Sequence, residues 1–187
     1  MTVRPHKWTA EEFHAIGDSG VWEGMSILLI DGELIEMPAA TPLHDMCLTL
    51  ANYRLHRVFS EDYTVRIQMG LALNSTTDLV PDLAVVPGDP RTMTTTPTTA
   101  VFVLEVSETS FNFDTREKAS LYAAAGIADY WVIDVVGKRV LVFRDPQPDP
   151  AAKYGHFYAN IATIGPGQSL ALLAAPHAVL DASNLLP

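Results

Sequence analysis

Two stretches of this chain, PDLAVV at 81–86 and VFVLEV at 101–106, are almost wholly aliphatic. Runs of that length and composition are strands covered on both faces. A chain that holds two of them must build a sheet with a layer of structure on either side, which points to an α/β fold. Each run also contains one acid, Asp82 and Glu105. An ionised carboxylate is costly in apolar surroundings unless a cation or several donors satisfy it. Two of them on neighbouring strands repel each other as well. The pair calls for positive charge, and a divalent cation held by Asp82 and Glu105 would meet that need.

The segments around the two runs place them in a domain. Thr9 and Glu12 have capping-box spacing and open a short helix over 10–16. Asp31-Gly32 reads as the turn of a hairpin between strands 25–30 and 34–37. Thr41-Pro42 opens a second helix that runs to about Phe59. Residues 63–69 alternate as a half-exposed strand, Asn74 to Thr77 breaks the chain, and the Thr- and Pro-rich segment 87–99 reads as a surface loop. Asp114 with Glu117 predicts a third helix, ending at Gly126. Strands 130–134 and 139–144 pair over Gly137, residues 145–153 turn, and a strand follows near 156–164. The expected fold is one α/β domain spanning 1–187, a central mixed β-sheet flanked by helices with extra β-hairpins.

On the third helix Asp114, Lys118 and Tyr122 fall at i, i+4 and i+8, along one stripe. Lys118 on that stripe can face Asp82 and Glu105. Oxygen ligands with open water positions suit Mg²⁺ or Mn²⁺. Such an ion polarises a phosphoryl oxygen and acidifies bound water. Spacing alone leaves a second reading open, in which Glu105 is salt-bridged to Lys118 or Arg116 and Lys118 pairs with Asp114.

Other chemistries find little footing. The six histidines lack zincin spacing, and a lone cysteine, Cys47, excludes thiolate zinc clusters and a disulfide framework. Neither a G-x-S-x-G elbow nor a P-loop occurs. No apolar run approaches the roughly 20 residues of a membrane span. The opening MTVRPHKW leads into a polar segment rather than a signal-peptide core, and the expected location is the cytoplasm. The formal charge of −10 sets any nucleic-acid role against the basic footprint usual in such proteins.

Longer strings carry a resemblance. LIDGELIEMPAATPLH (29–44), VPDLAVV (80–86) and FVLEVSETSFNFDTREKASLYAAAGIADYWVID (102–134) together resemble the Uma-type restriction endonuclease family, within the PD-(D/E)XK, restriction-endonuclease-like superfamily. The likeness runs from Trp8 to Arg144, and the 102–134 block is its most specific part. It implies a metal-dependent phosphodiesterase core in which Asp82 matches the first acid and Glu105 the second. Asp31-Gly32-Glu33 matches the family's DGE segment, making Glu33 an additional acid, and His44 matches a recurrent histidine near the site. The superfamily's lysine normally stands two residues after the second acid. Ser107 occupies that position here, and the family pattern places the lysine on the following helix, as Lys118. Read without the resemblance, Glu33 is a solvated hairpin residue and His44 a residue of a first helical turn.

These expectations converge on an Mg²⁺- or Mn²⁺-dependent endonuclease. It would cut nucleic acid, DNA foremost, by in-line attack that leaves a 5′-phosphate and a 3′-hydroxyl. Asp82 and Glu105 hold the metal, with Lys118 and Glu33 assisting. A homodimer is expected along an exposed sheet edge. The competing expectation is a non-catalytic interaction or regulatory protein that keeps the fold.

Overall fold

The computed structural model describes residues 3–59 and 62–187; Met1 and Thr2, the start of the polar N-terminal stretch, lie outside them. In chain order the elements are α1 (Ala10–Asp18), β1 (Ser26–Ile30), β2 (Glu33–Met37), α2 (Pro42–Val58), β3 (Tyr63–Ile67), β4 (Leu71–Asn74), β5 (Thr77–Leu79), β6 (Leu83–Pro87) and β7 (Phe102–Ser107). A π-helical segment (Phe113–Lys118) runs directly into α3 (Ala119–Ala124). Then come β8 (Asp129–Asp134), β9 (Arg139–Pro148), β10 (His156–Ile164), β11 (Ser169–Leu172) and β12 (Ala175–Asp181).

Six strands form the central sheet in the order β10-β9-β8-β7-β6-β3. It is mixed: β7 and β8 run parallel, joined by the crossover through α3, and the other neighbours are antiparallel. A four-stranded sheet, β2-β1-β5-β4, and the hairpin β11-β12 complete the architecture. The two apolar runs are β6 and β7, adjacent in the interior of the sheet, and every residue of β7 is buried.

Alternation along these strands feeds two cores. Leu83, Val85, Phe102, Leu104 and Val106 face α2, where Leu48, Ala51 and Leu55 meet them together with the β11-β12 hairpin. Ala84 and Val103 face the other way, toward Tyr122 of α3, Tyr130, and Leu28 and Leu79 of the four-stranded sheet. Each such side chain, fully buried, contributes roughly 1.5–3 kcal/mol. Because β7 alternates, Glu105 shares the direction of Val103 and points to α3 rather than α2.

Several local expectations hold. Thr9 and Glu12 form their capping box, and the β1-β2 turn has Asp31 (φ 48°) and Gly32 (φ 73°) both left-handed, as a tight two-residue hairpin requires. Thr41 caps α2 and Pro42 is its first residue.

Others are corrected. The break expected at 74–77 is the tip of a β4-β5 hairpin, where the Asn74 side chain accepts from the Thr76 amide at 2.9 Å. Strands of four and three residues are too short to show alternation. Asp114 and Glu117 form no capping box. The helical backbone begins before them, Asp114 accepts from the Ser110 hydroxyl at 2.5 Å, and Glu117 pairs with Lys153 at 2.6 Å. β9 runs four residues past Arg144, through a left-handed Asp145 (φ 60°) that re-aims the strand. No helix among the described residues is long and apolar enough to cross a membrane.

Candidate active site

The register of the central strands brings the two acids together. β6 and β7 pair as Leu83↔Leu104, Ala84↔Val103 and Val85↔Phe102. One step beyond the Leu83↔Leu104 pair, Asp82 stands opposite Glu105. The ladder changes character there. The Val106 amide donates to Asp82 Oδ2 at 2.8 Å, and the Asp82 amide lies 3.4 Å from Glu105 Oε2. Side-chain oxygens take the backbone donors at the place where the two strands part. Both residues are buried, Asp82 at 9% exposure and Glu105 at 2%.

The segment after β7 supplies the cation. Lys118 Nζ lies 2.9 Å from Glu105 Oε2 and 3.2 Å from Asp114 Oδ1, and all three side chains are nearly inaccessible. Tyr122, one turn on, donates its hydroxyl to Glu105 Oε1 at 2.7 Å. The expected stripe therefore forms, although its first half is π-helical. In that wider turn the Asp114 carbonyl accepts from the Ala119 amide and also from the Tyr130 hydroxyl, at 2.9 Å. Single π turns of this sort recur at functional sites.

His44 reaches the acids from the opposite side. It sits in the first turn of α2, and its Nε2 is 3.2 Å from each carboxylate oxygen of Asp82. Gln68, in the left-handed region (φ 47°) just past β3, brings its amide nitrogen to 3.4 Å from Asp82 Oδ1.

These partners set the protonation states. Burial pushes Asp82 upward, but His44, the Val106 amide and Lys118 more than offset it and hold the carboxyl below its ordinary range. His44 is raised by its hydrogen bond to Asp82. Glu105 goes the other way: burial drives it up to about 8, Asp82 and Asp114 add to the rise, and Lys118 opposes it. Lys118 loses stability as a cation by burial and regains more from Glu105, Asp114 and Asp82, so its ammonium is raised. Adjacent carboxyls pushed apart in this manner suit distinct roles.

The acids form the floor of a cleft of about 410 Å³. One wall is the π segment and the Glu108–Ser110 turn before it. Met25, Ile27, Met37 and Pro38 add apolar lining. Thr41, which caps α2, also donates its hydroxyl to Glu108 at the rim.

Of the five expected site residues the structure gathers four: Asp82, Glu105, Lys118 and His44. Glu33 is not among them. It opens β2 at the surface, where it pairs with Lys7 at 2.8 Å, and it does not line the cleft. Asp114, expected on the Lys118 stripe, pairs with Lys118 as its i−4 spacing indicates. Gln68 is the member that sequence reasoning passed over. Gln68 offered no signal beyond closing an alternating strand.

Among the described residues no three His, Cys, Asp or Glu side chains gather into a ready-made metal cage. The donor set fits a different kind of ion. Mg²⁺ is typically held by one or two carboxylates, with water and substrate phosphate filling the remaining positions. Asp82 and Glu105, side by side at the base of an open cleft, supply that pair of hard oxygen donors.

The profile of the Uma2 family, described as "Putative restriction endonuclease", matches residues 10–172. Among solved structures, a protein from Anabaena variabilis titled a "putative nuclease belonging to DUF820" superposes with a TM-score of 0.69. The alignment covers 95% of this chain and 97% of that one at 14% identity, a likeness of fold. No curated protein sequence matches.

Proposed function

This chain belongs to the Uma2 family, and from that premise we propose that it is a metal-dependent endonuclease that hydrolyses phosphodiester bonds of nucleic acid, DNA foremost. One observation carries the reading: Asp82 and Glu105 stand opposite each other at the end of adjacent buried strands, with Lys118 Nζ 2.9 Å from Glu105. A purely structural ion pair needs one acid and no cleft.

Asp82 and Glu105 would hold Mg²⁺ or Mn²⁺, which when bound polarises a phosphoryl oxygen and acidifies coordinated water. The protein's own groups do the rest. The Val106 amide and His44 fix Asp82 in its ionised form. The Tyr122 hydroxyl occupies Glu105 Oε1, and Lys118 Nζ lies 2.9 Å from Oε2. The Lys118 ammonium then stands where negative charge develops on a phosphoryl group, and stabilises it there. In-line attack would leave a 5′-phosphate and a 3′-hydroxyl.

A second reading has its own observation. Lys118 is already bonded to two of the protein's carboxylates, so the site is neutralised from within, as in a fold retained for binding alone. Incubating supercoiled and linear DNA with Mg²⁺ or Mn²⁺, beside Glu105→Gln and Lys118→Met variants, separates the two. Cleavage by the parent and loss in both variants supports the nuclease. Absence of cleavage, together with no metal uptake by calorimetry, favours the binding protein. The remaining parts of the proposal are a cytoplasmic location, one domain over 1–187 and a second copy of the chain as partner.

A further inference from the structure

We infer that the cleft takes a single unpaired nucleotide, so that the substrate is single-stranded nucleic acid rather than a duplex. The inference rests on the nuclease reading above and narrows it. Three observations carry it.

The first is depth. Glu105 and Lys118 are 2% and 4% exposed, so a phosphate reaches them only by entering the cleft. The space there, about 410 Å³, lies near the small end of the range for sites that hold one compact ligand.

The second is charge. Among the described residues lining the cleft, Lys118 is the only Lys or Arg, against four carboxylates: Asp82, Glu105, Glu108 and Asp114. Among the described residues, five of the other eleven Lys and Arg, all outside the cleft, form ion pairs with Asp or Glu. A protein that grips a duplex neutralises a row of phosphates with such groups. This cleft offers one ammonium and a metal-binding pair of acids, enough for one phosphate.

The third is the apolar lining. Met25, Ile27, Met37 and Pro38 line the same cleft as the acids. Hydrolysis of a bare phosphodiester has no use for such a lining, whereas the face of an extruded or unpaired base does. A base in a duplex is stacked and paired, and freeing it costs a few kcal/mol that a single strand does not incur.

The test uses the full chain, Mn²⁺ or Mg²⁺ for cleavage, and Ca²⁺ for binding. A short fluorescent oligonucleotide, its duplex, and a version with one abasic nucleotide are compared by anisotropy and by gel. The single strand should bind and be cut about tenfold or more in preference to the duplex. Its log affinity should fall with log salt at a slope of about −0.7 to −1.4, one or two phosphates' worth. The abasic strand should bind more weakly at an unchanged slope. Met37→Glu should weaken the intact strand and leave metal uptake intact. Equal or better cutting of the duplex overturns this inference and leaves the nuclease standing, as does a slope steeper than about −3. No binding and no cutting of either form overturns both.

Discussion

Lys118 is the cation shared by the buried acids Glu105 and Asp114. Its ammonium sits 2.9 Å from Glu105 and 3.2 Å from Asp114, all of them buried. Removing the cation leaves two carboxylates without their partner, and breaking such a pair typically costs about 3–5 kcal/mol. Lys118→Met is expected to lose up to that much in urea unfolding, chiefly through the buried Asp114 left without its cation. Glu105 gives the pH dependence. Its pKa in the folded protein, about 8, lies above its ordinary 4.5. The folded state therefore binds this proton more tightly than the unfolded chain. That stabilisation is fully present below 4.5 and is lost as pH rises through about 8. In the metal-free protein, unfolding free energy should fall across this window by up to about 1.4 kcal/mol per pH unit from this group. Glu105→Gln should remove that component of the slope. Metal uptake must expel the same proton, so Mn²⁺ affinity should rise with pH over the same range. Calorimetry in buffers of different ionisation enthalpy would register the proton released.

At the scale of elements, the π segment is the part most specific to this site. A π turn leaves the Asp114 carbonyl in reach of the Tyr130 hydroxyl, so β8 holds the turn that carries Lys118. Tyr130→Phe keeps the ring among Tyr122, Phe143 and Tyr158 and removes only that bond. The expected loss is about 0.5–1.5 kcal/mol, read as a lower Tm, with a larger proportional loss of cleavage if the turn relaxes and Lys118 shifts. The sequence showed β6, β7, the helix between β7 and β8, and the stripe Asp114-Lys118-Tyr122, because long apolar runs and i+4 spacing are local patterns. It could not show the π turn, which depends on a hydroxyl 16 residues away. Spacing alone could not show that His44 crosses from α2 to Asp82, a contact spanning 38 residues that only the family resemblance pointed to. Glu33 failed for a related reason: a turn motif fixes where the chain reverses, while the partner that Glu33 found, Lys7, lies 26 residues away in the N-terminal segment. β4 and β5 were too short to carry a periodic signal, and only their pairing with each other and with β1 makes them strands.

For the molecule as a whole, the central sheet ends at β10, and that edge is unlike most. Over nine residues, His156–Ile164, it carries no Asp, Glu, Lys or Arg, on a chain of formal charge −10. Edge strands are usually blunted by charge, proline or shortness; the opposite edge, β3, has five residues and includes Arg66. Phe157 and Ile161 stand 42% and 58% exposed on β10 and line a hollow of about 400 Å³ with Phe143, Tyr158 and the paired Glu117 and Lys153. A second copy of the chain is the occupant these features fit. Two β10 strands can pair antiparallel about a twofold axis, and neither brings a charge of its own to face its equal. Elsewhere the net charge opposes association. Size-exclusion chromatography with light scattering should therefore give a dimer. Ile161→Lys should give a folded monomer, with circular dichroism unchanged and the elution shifted to half the mass. If the parent chain is monomeric at tens of micromolar, or if Ile161→Lys remains a dimer, β10 is not the interface. A dimer joined there would keep the two clefts apart, each able to take a strand independently. Under that arrangement Ile161→Lys should leave the rate of single-strand cleavage per subunit unchanged, which the oligonucleotide assay would measure directly.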